Sequence, residues 1–344
     1  MTDRLPRARA LALAWLLSAL AFELAVLAWC ESPGSIFAQL LAGTWGTRYG
    51  AGQVLFKATS IAIAGAAAQI ALRAGLFQIG VDGAIAVSAL AVGAVGARLP
   101  AGTSPFVAWP LLGALGALVG AAWSLPAGVL RARFGAHEVI SGIMTNKLAS
   151  ALVGYLLAIG LAEKASVHTP ALPAGARVTR LAFFPGSAAN VASVVAFVVV
   201  LGAGFVARRT RWGRECRAVG ASESASAGTG IALGRRQIQA LALSGGVAGL
   251  AALNDVMGYK GFAEEGLSAG VGFTGLAAAL LAGDSAWGLL LAALFFATLS
   301  QGGLSINARI PMEIVDVVVA LVLLLVAVAP RLDRALGRAH EGRA

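Results

Sequence analysis

Charge is scarce in this 344-residue sequence. Asp, Glu, Lys and Arg make up 12% of it, against about 25% in an ordinary soluble protein. Apolar types reach 58% and mean hydropathy is +0.82. That shortage excludes a soluble globular enzyme, a disordered chain and a nucleic-acid module. Histidine occurs three times and cysteine twice. Cys30 and Cys216 lie far apart with no paired spacing, so neither a disulfide framework nor a metal site is indicated. The chain carries no G-x-x-x-x-G-K-[ST] phosphate loop, and so lacks that route to ATP hydrolysis. It also shows no His/Asp/Glu cluster fit for a lipid-modifying membrane enzyme.

What the sequence has instead is apolar runs of helical length. They cover roughly 10–30, 54–73, 84–99, 106–130, 138–160, 189–207, 237–253, 270–283, 286–303 and 312–329. The expectation is an all-α polytopic membrane protein of about ten transmembrane helices. The first run follows Arg4, Arg7 and Arg9 and is too long for a signal-peptide core, so it reads as a retained helix. The runs at 84–99 and 270–283 are short for a full crossing. Each follows a glycine-rich interruption, as in a discontinuous helix lining a cavity. With the N-terminus inside, 16 Lys and Arg fall on inside segments and 7 on outside ones. That excess places both termini in the cytoplasm. The 44 glycines, nearly twice the usual share of about 7%, suit helices that pack closely in lipid.

A weak internal repeat is present. A helix (54–73), a broken loop (74–83), a short helix, another helix and His137-Glu138-Val139-Ile140 are echoed by a helix (237–253), a broken loop (254–270), a short helix, another helix and Met312-Glu313-Ile314-Val315. One unit starts outside and the other inside, which is the inverted-repeat arrangement.

Three segments carry candidate function. Gly75, Gly80 and Gly83 bracket Gln78 and Asp82 between two apolar helices. A carboxylate at that depth faces protein or water, either on a solute path or as a cap on the next helix. In the helix opened by His137, Glu138, Ser141, Thr145 and Asn146 fall near one face. His137 reads as a boundary residue. The third segment, 208–236, is rich in arginine. Ser222 is a fair N-cap there, Glu223 suits a helix's positive end, and Gly228 and Gly230 stop the helix. A short capped helix on a basic stem could seat in another protein's groove, or be an ordinary positive-inside loop.

At these segments the chain resembles the permease subunits of bacterial ABC importers of the nucleoside and simple-sugar branch. Gln78-Ile79-Gly80-Val81-Asp82-Gly83 resembles its N-I-G-x-E-G motif. His137 to Asn146 resembles N-E-V-I-x-x-I-M-x-N, and Gly213, Arg217, Ala218, Val219 and Gly220 match G-x-x-x-R-A-V-G. Ser244 to Ala251, Gly275 to Gly283 and Pro311 to Asp316 follow in the same order. The likeness runs from about residue 54 to 329. It implies one transmembrane permease domain over 1–344, with core 54–329, N-terminal helix 10–30 and coupling loop 208–236.

The resemblance further implies a path bordered by Gln78, Asp82, Glu138 and Asn146, and ATPase coupling through Arg217, Gly220, Ser222, Glu223 and Gly228. The implied partners are separate ATPase subunits that use the ATP, a second permease (heterodimer or homodimer), an extracytoplasmic solute-binding protein landing near 31–52 and 161–188, and membrane lipid. No cofactor, metal or nucleic acid is expected on this chain, and its place is the bacterial inner membrane. The alternative is an ion-coupled secondary transporter using Asp82, Glu138 or Asp284.

Overall fold

The computed structural model describes residues 33–267 and 269–307, together with Val317 and Ala320. The expected helix at 10–30, that at 312–329 apart from Val317 and Ala320, the Pro311–Asp316 stretch and both termini lie outside the described residues. Within the described residues the chain is helical and forms no sheet. In order, the helices are α1 (Pro33–Thr44), α2 (Arg48–Arg73), α3 (Val81–Gly96), α4 (Pro105–Phe134) and α5 (Glu138–Leu156), the last continued by a π-helical turn (Leu157–Leu161). Next come α6 (Ala192–Arg209), α7 (Arg211–Ala221), α8 (Glu223–Gly228) and α9 (Leu233–Gly249), which is extended by a π-helical stretch (Leu253–Lys260). The last two are α10 (Val271–Ala282) and α11 (Ala286–Ile306). Six of these, namely α2, α4, α5, α6, α9 and α11, are long and apolar enough to cross a membrane. The apolar helices α3 and α10 are shorter.

Two boundaries differ from the sequence expectation. Helix α1 stands inside the segment 31–52, expected to be a loop. The chain at 254–260, also expected to be loop, continues the helix until Gly261 at φ 78°. Asn254 and Asp255 read as loop residues, yet both are buried. Asn254 Nδ2 donates to the Phe56 carbonyl at 3.0 Å and to Ser60 Oγ at 2.7 Å, and Ser60 Oγ donates to Asp255 Oδ1 at 2.6 Å. Asn190 Nδ2 donates to Asn254 Oδ1 at 2.8 Å. These partners satisfy polar groups that would be costly in an apolar setting.

By contacts the chain falls into two compact units. The described part of the smaller joins α1 and the start of α2 to the C-terminal half of α11. There Gln39 Nε2 donates to the Ser305 carbonyl at 3.2 Å, and Gly43 and Gly302 give Ser305 and Leu40 room to approach.

The larger unit, Leu55–Leu294, holds every candidate site. Its most extensive helix pair is α4 with α9. Gly116 and Gly120 face Gly245 and Gly249, backbone against backbone, and a β-carbon at any of the four would collide with the partner helix or with Ser88 or Ser124. Two G-x-x-x-G spacings on facing helices account for that closeness. Ser88 Oγ donates to the Gly116 carbonyl at 2.9 Å, tying α3 to the same pair.

Candidate functional site

The chain between α2 and α3 is not helical. Gly75 turns at φ 75°, and α3 starts only after Gly80, with no side chain of its own capping it. Its free groups are met by α5. Asn146 Oδ1 accepts the Gly83 N–H at 2.8 Å, and Asn146 Nδ2 donates to the Ile79 carbonyl at 2.9 Å. In a continuous helix those two backbone groups would bond to each other; here one amide is inserted between them. A β-carbon at Gly83 would lie 2.9 Å from Asn146 Oδ1, and one at Gly142 would lie 2.9 Å from the Gly80 nitrogen. The glycines on both elements permit this approach.

Asp82 caps neither its own helix nor an empty space. Its Oδ1 accepts the Gly272 N–H at 2.6 Å, in the first turn of α10. Helices α3 and α10 therefore present their N-terminal ends to one carboxylate, which sits at the positive pole of both dipoles. Each follows a broken segment with left-handed glycines: Gly75 before α3, and Gly261, Gly266 and Gly270 before α10.

Beside this junction lies a cavity of about 110 Å³ lined by Asp82, Asn146, Ser150 and Glu264 to Leu267, among others. A second cavity of about 380 Å³ shares Glu264 and Glu265 and extends to Ser166 and Val167. Ser150 Oγ donates to Glu265 Oε1 at 3.0 Å, and Lys260 pairs with Glu264 at 3.0 Å. Along α5, Asn146 lies roughly 12 Å and Ser150 roughly 18 Å beyond Glu138 at 1.5 Å per residue. The polar lining thus occupies the middle of a helix whose length matches a ~30 Å apolar core.

At the end carrying the arginine-rich α7, here termed the basic end, the geometry is different. Thr210 caps α7, accepting the Gly213 N–H at 3.1 Å. Ser222 caps α8, accepting the Ala225 N–H at 3.3 Å. Glu215 accepts from Arg211 at 2.7 Å and from Arg236 at 2.6 Å, and these bonds, Arg211's first, hold its carboxyl below the usual carboxylate range. Glu138 is buried; its Oε1 accepts the Phe77 N–H at 3.4 Å, and Oε2 lies 3.6 Å from Arg131. Arg131 also reaches Glu223 at 3.0 Å, and Gln237 Nε2 donates to the same Glu223 oxygen at 3.0 Å. A polar chain therefore runs from α8 through Arg131 and Glu138 to the broken loop. Gly220 of α7 rests on the backbone of Arg73 to Gly75 with no room for a β-carbon.

The sequence matches, over residues 50–327, the family described as branched-chain amino acid transport system permease components. The chain belongs to this permease family. It is 32% identical to a guanosine ABC transporter permease of Bacillus subtilis (86% of each chain). It is 30% identical to a glucose ABC transporter permease of Haloferax volcanii (85% of this chain, 80% of the relative). A nucleoside ABC transporter permease of Lactococcus lactis is 31% identical (75% and 74%). No solved structure matches significantly. The protein is thus a multi-pass inner-membrane permease of an ABC transporter, not an enzyme, and the ion-coupled alternative is set aside.

In the permease, the four residues read as bordering a path divide into three places. Asp82 and Asn146 meet at the helix break and line the cavity. Gln78 is buried against α4, its Nε2 donating to Ser124 Oγ at 3.3 Å. Glu138 belongs to the Arg131 chain at the basic end. Of the coupling residues, Gly220, Ser222 and Glu223 make the contacts described above, while Arg217 and Gly228 are exposed. Ser150, Glu264 and Glu265 escaped the sequence reading. Their signal was a pair of carboxylates among Gly261, Gly266 and Gly270, the counterpart of Asp82 among Gly75, Gly80 and Gly83.

Proposed function

We propose that this permease forms half of the translocation path of a binding-protein-dependent importer for a neutral, hydroxyl-rich solute, a nucleoside or simple sugar. The observation that carries this reading is the Asp82 junction of two half-helices beneath a cavity lined by acceptors. Neither cavity includes a Lys or Arg in its lining, and the helix starts are already served, α10 by Asp82 and α3 by Asn146. The lining carboxylates, with the neighbouring Lys260 already paired to Glu264, disfavour a solute's carboxylate, whereas a polyol or nucleoside finds acceptors for its O–H and N–H groups. The relatives named for guanosine, nucleosides and glucose support the same class.

The basic end is cytoplasmic on this reading, following the excess of arginine there. Separate ATPase subunits dock on α7 and α8. Their closure moves α8, and the Arg131–Glu138 chain and the Gly220–Gly75 contact pass that motion to the broken loop. The two broken segments enter from opposite ends, 74–80 from the basic end and 261–270 from the other, and with their half-helices they form the antiparallel pair of an inverted repeat. A second permease covers the outer face of α5, where Ile140, Met144, Leu148 and Tyr155 are exposed beside the cavity.

The test is Ser150→Cys in a background lacking Cys30 and Cys216, assembled with its ATPase and binding protein. A thiol reagent added from outside is expected to block uptake, and excess nucleoside or sugar to slow the block. Full uptake after complete labelling would overturn the assigned path.

A further inference from the structure

A groove at the basic end is not used by the path or by the coupling chain. It lies between α2, α6, α7 and α9, has a volume of about 270 Å³, and is walled by Ile70, Val199, Val206, Trp212, Leu243 and Val247. Arg73 sits at its edge, and Cys216 and Gly202 also line it. Of these, Gly202 has open space where a side chain would project.

The charges at its rim are not balanced. Arg73 pairs with Asp284 at 3.3 Å. Arg208 also donates to the Asp284 carbonyl at 2.7 Å, and Arg208 and Arg217 lie within coulombic reach of Arg73. Arg208, Arg209, Arg214 and Arg217 are exposed. Glu215, the acidic residue of α7, is committed to Arg211 and Arg236. Asp284, paired with Arg73, and Glu215 leave an excess of positive charge on the exposed Arg208, Arg209, Arg214 and Arg217.

Helix α7 packs its apolar side on the protein and turns its arginines outward. Gly213, Cys216 and Val219 are buried along one side, with Trp212 half-buried, while Arg211, Arg214 and Arg217 face out. Trp212 Nε1 donates to Gln239 Oε1 at 3.2 Å. An apolar slot lined in part by α7, at the end that carries these exposed arginines, matches one kind of molecule: apolar chain at one end, anion at the other. The groove at the opposite end of the larger unit, about 380 Å³ and walled by Trp109, Val178 and Val195 among others, has no charged residue in its lining.

We propose that the groove between α2, α6, α7 and α9 binds an anionic phospholipid of the cytoplasmic leaflet, one acyl chain against Val199, Val206 and Leu243 and the phosphate held by the exposed Arg208, since Arg73 is buried and already donates to Asp284, Gln69 and the Ala203 carbonyl. This rests on the basic end being cytoplasmic. Arginines near an anionic lipid surface each contribute about fivefold in affinity.

The experiment uses the full chain with its ATPase in vesicles of phosphatidylcholine alone or with phosphatidylglycerol at one part in four. Native mass spectrometry reads the lipid retained after gentle extraction. Labelling of Cys216 by N-ethylmaleimide, in a Cys30→Ser background, reads access to the groove. Phosphatidylglycerol is expected to be retained over phosphatidylcholine and to slow Cys216 labelling several-fold. Arg208→Gln should lower that retention about fivefold. Gly202→Leu, which fills open space, should abolish it. Equal retention of both lipids, retention of neither, or wild-type retention by Gly202→Leu overturns the proposal. Ser224→Cys separates this from a failure of sidedness. If an impermeant thiol reagent outside the cell labels Ser224→Cys, the cytoplasmic assignment falls; if it does not and no phosphatidylglycerol is retained, the lipid site alone falls.

Discussion

Replacing Asn146 by alanine removes the single amide that holds the break before α3. Two bonds vanish, to the Gly83 N–H at 2.8 Å and the Ile79 carbonyl at 2.9 Å. If both groups were left dry, each would cost about 1–3 kcal/mol. Two effects reduce that. Side-chain hydrogen bonds between membrane helices average only ~0.6 kcal/mol, with a maximum near 1.7, and the adjoining cavity of about 110 Å³ can admit water to the freed groups. The expected loss is about 1–3 kcal/mol for the pair. For a unit the size of Leu55–Leu294, at about 2–4 °C per kcal/mol, this is a fall of roughly 2–12 °C in the melting temperature. Asn146→Asp should be at least as harmful. Its carboxylate can still accept from Gly83, but it cannot donate to Ile79 and it sets a second negative charge near Asp82. Val194→Ala, on the exposed face of α6, is the control and should shift the melting temperature by no more than about 2 °C. The assay is thermal unfolding of the purified complex, paired with substrate-stimulated ATPase rates. An Asn146→Ala protein that melts and couples like wild type would refute the idea that this amide fixes the break.

Glu223→Arg should abolish ATP-driven uptake and co-purification of the ATPase while shifting the melting temperature little. Glu223 is about half exposed, and such ion pairs contribute only about 0–1 kcal/mol; an intact complex with normal uptake would remove α8 from the coupling route. Gly220→Val pushes a side chain into the backbone of Arg73 to Gly75. A stability loss of about 1–3 kcal/mol is expected for such overpacking, read by thermal unfolding, and Gly228→Ala, which meets nothing within 4 Å, should be near neutral. Burial pushes the Cys216 thiol from about 9 up to about 11. Folding favours the neutral thiol, so its contribution is complete below pH 9 and disappears as pH rises toward 11. The wild-type melting temperature should therefore fall more steeply over pH 9–11 than that of Cys216→Ala, and parallel curves would contradict the buried placement.

Residues that announce themselves locally were legible in the sequence. Apolar runs marked the helices, Ser222 showed the start of α8, and His137 was readable as a boundary, its Nδ1 accepting the Val139 N–H at 3.4 Å. The glycines around Asp82 revealed a break. What Asp82 does there depends on Gly272, 190 positions away, and no local pattern names that partner. Asn254 and Asp255 looked like loop because their partners, Ser60 and Asn190, are remote in sequence. Glu138 shares its helix with Asn146 and was grouped with it. Two helical turns separate them, which puts one at the basic end and the other beside the cavity.

The most direct measurement is solute accumulation in proteoliposomes holding the permease assembled with its ATPase, with the binding protein supplied on the outer side. ATP enclosed in the vesicles should drive uptake of a labelled nucleoside or sugar. That uptake should persist with protonophore and sodium ionophore present and stop when the ATPase is inactivated. Accumulation that follows an imposed ion gradient and proceeds without ATP would contradict an ATP-driven permease.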